Sequence, residues 1–110
     1  MLKINGVDFD FDLSDINNLN YYRKCLNALE KCCEYSSKLA GKEKYVYECE
    51  SAIIFINAVL GDGADKKIFK KGIATLNECM DVLDIISKES ERQRKNFKGI
   101  ILKVDFKSNI

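Results

Sequence analysis

Five cysteines, Cys25, Cys32, Cys33, Cys49 and Cys79, are the residues of this 110-residue chain best suited to nucleophilic or metal chemistry, and no histidine accompanies them. A cysteine nucleophile needs a neighbouring group that holds it as thiolate, and near neutral pH imidazole is the usual one. Structural zinc sites pair their thiols at two-residue spacings, and no Cys-x-x-Cys occurs. The count is odd, and the first thirteen residues carry acids where an export signal would carry basic residues and an apolar core, so the cysteines read as reduced thiols. Cys25, Cys32 and Cys79 fall on or beside apolar helical stripes, where a thiol packs as a small hydrophobe.

Carboxylates are the next candidates. Asp8, Asp10 and Asp12 alternate as calcium-loop ligands do, but that loop needs Gly at its sixth position and Glu at its twelfth, and none follows Asp8 at that spacing. Like charges along one strand face read instead as a solvated edge that resists pairing with neighbours. Glu48 and Glu50 fall on opposite sides of a helix, and Glu50, Glu78 and Asp81 could be brought together only by folding, which their spacing does not specify. No catalytic residue, metal ligand or cofactor site follows. The one concentrated basic feature, Lys66, Lys67, Lys70 and Lys71, could meet a phosphate or an acidic surface, although a charge run is more often a wet face. With 18 basic against 17 acidic residues, a net charge of +1 argues against a dedicated nucleic-acid binder.

The elements that must position these groups are legible from periodicity. Val7, Phe9, Phe11 and Leu13 alternate with the three aspartates, which predicts a half-buried strand, and Asn5-Gly6 before it is a hairpin turn signal. Ser14 or Asp15 caps a first helix over residues 16–40, whose stripe is Ile16, Leu19, Tyr22, Leu26, Leu29 and Cys33, with Gly41 ending it. A second helix over 43–60 carries Tyr45, Cys49, Ala52, Ile56 and Val59 and is expected to be buried on most of its circumference. Gly61-Asp62-Gly63 is a structural turn, since a phosphate loop would follow a strand and end in Gly-Lys before Ser or Thr. Asp65 is expected to cap a short basic piece that stops at Gly72, with Ile68 and Phe69 plugging the end of the core.

Thr75 and Glu78 form a capping box before a third long helix over 75–96. Its apolar face is Leu76, Cys79, Met80, Leu83 and Ile86, widened by Val82 and Ile85. From Lys88 to Lys95 it is polar all round and is expected to project from the core. Residues 100–106 then alternate again through Leu102, Val104 and Phe106, as a strand joining the hairpin or as an arm offered to another chain.

These elements predict one domain over 1–110, mainly α within an α+β class: a hairpin over 1–13, a three-helix core over 16–96 and a C-terminal strand or arm over 100–106. No run reaches the roughly 18 apolar residues of a membrane span, so a cytoplasmic protein without a membrane role is expected.

The opening Leu2-Lys3-Ile4-Asn5-Gly6-Val7-Asp8-Phe9-Asp10-Phe11-Asp12-Leu13, the helix after Asp15, and Leu60-Gly61-Asp62-Gly63-Ala64-Asp65-Lys66-Lys67-Ile68-Phe69 with the later Asn77-Glu78-Cys79 resemble short proteins encoded among the tail genes of prophages in low-GC Gram-positive bacteria. That family is similar to the tail assembly chaperones of long-tailed phages, and its members end in a polar, basic tail, unlike the apolar Ile100–Phe106 here. The resemblance implies a non-enzymatic protein of the bacterial host cell that binds an apolar, helix-rich partner such as the tape-measure protein. Tyr21, Phe69, the four lysines and Leu102, Val104 and Phe106 are the contact residues compatible with it, and self-association is a further expectation. A second reading is a small phage-encoded inhibitor of a host protein such as a defence nuclease, in which Asp8, Asp10 and Asp12 imitate phosphates.

Overall fold

A computed structural model describes residues 2–70, 72 and 74–95. Strands β1 (Leu2–Ile4) and β2 (Val7–Phe9) form an antiparallel hairpin, followed by helices α1 (Ile16–Ser36), α2 (Gly41–Leu60), the short α3 (Ala64–Ile68) and α4 (Leu76–Lys95). The fold is mainly α with a small β-hairpin. Leu2 lies opposite Phe9, Lys3 opposite Asp8 and Ile4 opposite Val7. Asn5 and Gly6 both have positive φ, 51° and 80°, as a two-residue turn matching the strand twist requires.

The predicted strand through Leu13 stops at Phe9. Phe11 and Leu13 keep the alternation and are buried, but their backbone partner is a helix side chain. The Gln93 amide donates to the Phe11 carbonyl and accepts from the Leu13 N–H, both at 2.7 Å. The side-chain amide, with two N–H donors and an acceptor oxygen, gives this stretch one donor and one acceptor, as a neighbouring strand would have done. The end of α4, expected to project, is therefore docked: Ser90, Gln93 and Arg94 are buried. Gln93 also donates to Glu89, and Ser90 donates to the Ser87 carbonyl and is hydrogen-bonded to Tyr22. Polar side chains can line a core face when every one has a partner, and hydropathy patterning reads such a face as solvent.

Asp15 caps α1 by accepting from the Asn17 N–H at 2.7 Å. The helix ends at Ser36, short of residue 40, because two serine hydroxyls occupy its last carbonyls: Ser36 bonds Cys33 O and Ser37 bonds Glu34 O. Gly41, expected to close α1, has φ of 60° and instead opens α2. The Thr75–Glu78 capping box is present in both directions, at 2.9 and 3.1 Å. Asp65 lies inside α3, whose first turn is held by Asn57 of α2 accepting from the Asp65 N–H at 2.9 Å.

The core gathers Leu2, Ile4 and Phe9 of the hairpin, Leu19 and Tyr22 of α1, Ala52, Phe55 and Ile56 of α2, and Cys79, Val82 and Ile86 of α4. Full burial of Ile56 alone stabilises by about 1.5–3 kcal/mol. Phe11 meets Tyr22 edge-on at 5.5 Å, and Tyr22 lies 6.1 Å from Phe55. Burial of α2 is less complete than its composition suggests: Tyr45, Val46 and Ile54 are exposed, Ile54 at 70%. Ile16, the first residue of the α1 stripe, is also exposed, since it precedes the turn at which α1 meets the core.

Candidate functional site

Helices α1 and α4 both rest on α2. Near the hairpin they are joined by the Tyr22–Ser90 hydrogen bond. Further along, a groove of about 250 Å³ lies between them. Leu29, Cys32 and Cys33 form the α1 wall, and Leu76, Met80 and Leu83 the α4 wall. Each set sits at helical spacings of three and four and so shares one face. Ser51 and Ala52 of α2 are the floor, and Glu48 is the one charged lining residue. The Ser36 hydroxyl lies 3.0 Å from the Glu48 carboxylate, which orients it. Met80 is 52% exposed, an apolar side chain left wet on the wall. Leu29 and Leu83 pack against the core as their stripes predict, while Cys33 and Met80 on the same stripes are exposed. A stripe wider than one helix contact requires was the available signal for a groove.

Three of the thiols, Cys79, Cys33 and Cys25, are shifted towards their protonated form. Burial pushes Cys79 up to about 11, with Cys49 and Glu78 adding to the effect. Loss of solvent raises Cys33, and the nearby Glu48, Cys32 and Glu30 raise it further. Burial raises Cys25 as well, against an opposing hydrogen bond from Tyr21. All five cysteines are free. Among the described residues no group of three or more Cys, Asp or Glu is placed to hold a metal ion. Glu78 is engaged in its capping box, while Glu50 and Asp81 are exposed.

The other sequence-predicted positions divide. Tyr21 is 53% exposed and borders a shallow depression of about 210 Å³ together with Asp10 and Asp12. The structure thus brings one residue of the first reading beside two of the second. Asp8 faces Lys3 across the hairpin at 3.9 Å. Asp12 accepts from both the N–H and the hydroxyl of Ser14, which holds its carboxyl below the usual range. Lys66, Lys67 and Lys70 are exposed. Phe69, a candidate contact residue, is only 8% exposed and belongs to the core plug. Asn5 of the hairpin turn secures that plug by donating to the Ile68 carbonyl at 3.2 Å. Lys71, Leu102, Val104 and Phe106 lie outside the described residues. Among the described residues no helix is long and apolar enough to cross a membrane.

No curated protein and no solved structure matches the chain. By a match over residues 5–107, the chain belongs to a family of unknown function, DUF6673.

Proposed function

We propose that this is a non-enzymatic binding protein that receives an apolar segment of a protein partner in the groove between α1 and α4. The observation that carries the reading is the groove itself, with leucines on both walls, an exposed methionine and one carboxylate. A helix presenting apolar residues at intervals of three and four would fill it, and a basic residue beside that face would meet Glu48. Thiols raised towards their protonated form, with no histidine in the chain, support a binding role over a catalytic one. Following the resemblance of the hairpin and the glycine loop to phage tail-region proteins, the partner is a helix-rich tail component such as the tape-measure protein, met in the bacterial cytoplasm. A second copy of the chain is the other apolar surface available to it.

Co-expression with the tape-measure protein of the encoding phage tests this. The wild type should co-purify with it, Met80→Glu should not, and the triple change of Asp8, Asp10 and Asp12 to Asn should behave as wild type. No capture by the wild type, or capture unaffected by Met80→Glu, overturns the reading. Loss confined to the aspartate variant would transfer binding to the acidic hairpin face and favour the inhibitor reading.

A further inference from the structure

We infer that a second surface, the depression between the end of α1 and the first half of α2, receives an arginine side chain carried on an apolar segment of a protein partner. It shares no lining residue with the groove between α1 and α4, and the inference does not depend on the reading of that groove.

The depression encloses about 490 Å³, and its apolar lining is Tyr35, Leu39, Val46 and Tyr47. The Tyr35 and Tyr47 rings are in contact, with centroids 5.1 Å apart and planes tilted by 55°. Tyr47 is also hydrogen-bonded through its side chain to Cys32 and Ser51, which steadies its ring. Tyr35 and Val46 are nevertheless exposed, at 51% and 41%.

Helical spacing sets an acid on either side of the Tyr47 ring. Glu43 comes four residues before it and Glu50 three after, so the three side chains share one face of α2. Both carboxylates are exposed, and among the described residues neither makes an ion pair or a side-chain hydrogen bond. Lys42 also lines the depression, but five residues before Tyr47 it lies roughly 140° round the helix, off that face. An acidic segment laid on the face would meet two like charges, whereas a basic one meets two unpaired partners. Arginine fits better than lysine, because a planar guanidinium stacks on a ring while its edge pairs with a carboxylate. Apolar neighbours of that arginine would cover Leu39 and Val46.

The test is nuclear magnetic resonance on the isotope-labelled full chain. A short capped peptide of leucine, alanine and serine with one central arginine is titrated beside the same peptide carrying citrulline, which keeps the shape and loses the charge. The arginine peptide should shift the backbone resonances of Tyr35, Val46, Tyr47 and Glu50 and bind roughly tenfold more tightly than the citrulline peptide. Glu43→Gln combined with Glu50→Gln should abolish that difference, with resonances elsewhere unchanged as proof of folding. Met80→Glu, in the groove, should bind both peptides as the wild type does. Equal binding of the two peptides, no shifts at millimolar peptide, or shifts along the groove instead would each overturn the inference. So would movement of the same resonances when the free protein is concentrated, which would assign the depression to a second copy. None of these outcomes decides partner capture at the groove, since the peptides probe residues that do not line it.

Discussion

Gln93 and Leu13 stand 80 positions apart in the chain and 2.7 Å apart in the fold, the side-chain amide of one taking the place of a strand partner for the backbone of the other. Removing the amide leaves the Leu13 N–H and the Phe11 carbonyl buried without a partner. Gln93→Ala is therefore expected to cost roughly 2–6 kcal/mol, from about 1–3 kcal/mol for each of the two orphaned groups. Thermal unfolding should show it as a fall in Tm of about 10 °C or more. A change of only a degree or two would mean that apolar packing alone holds the hairpin to α4.

Glu89 lies beside this contact and gives the fold an acid limit. The Arg92 guanidinium, at 2.6 Å, holds its carboxyl down to about 2, with Gln93 assisting. A folded-state value below the unfolded one means that the carboxylate stabilises fully above the ordinary glutamate range. That contribution is lost as pH falls from about 4.5 towards 2. Denaturation of the wild type and Glu89→Gln at pH 6 and pH 3 should show the difference between them shrinking at the lower pH. A constant difference would assign the effect to the hydrogen bonds alone.

The Thr75–Glu78 capping box makes a local and modest contribution. Thr75→Ala removes the acceptor for the Glu78 N–H and is expected to cost about 1 kcal/mol, read as a lower urea midpoint at unchanged m-value.

Phe69 and Met80 separate core from contact surface. Phe69→Ala should destabilise by about 3–5 kcal/mol, because its ring is enclosed. Met80→Glu should stay within about 0.5 kcal/mol of wild type, as exposed positions do. Paired unfolding curves check both. Large destabilisation by Met80→Glu would remove it as a clean probe of the groove.

Much of the fold was legible because its signals are local. Asn5-Gly6, Asp15 and Thr75 with Glu78 act within a few residues, and each formed the turn or cap its chemistry dictates. The ends of α1 and β2 were not, since both depend on side chains competing for backbone groups. Ser36 and Ser37 take the last carbonyls of α1, and Gln93 takes the backbone of Phe11 and Leu13. No periodicity encodes a glutamine acting as a strand. The groove was half legible: its leucines and Met80 stood out as apolar, but whether a stripe faces α2 or the gap beside it is decided by helix rotation.

The bonds from Gln93 to Phe11 and Leu13 also order events in time. A ribosome delivers the apolar residues Leu2 to Leu13 first and Gln93 some 80 residues later, about 4 to 16 seconds at ordinary synthesis rates. Contacts of such sequence separation form after local helix pairs. During that interval α1 and α2 can assemble while the opening segment waits with its backbone unsealed. The nascent chain is then most open to proteases and to wrong strand partners at its N-terminus, and that exposure closes only when the last helix emerges.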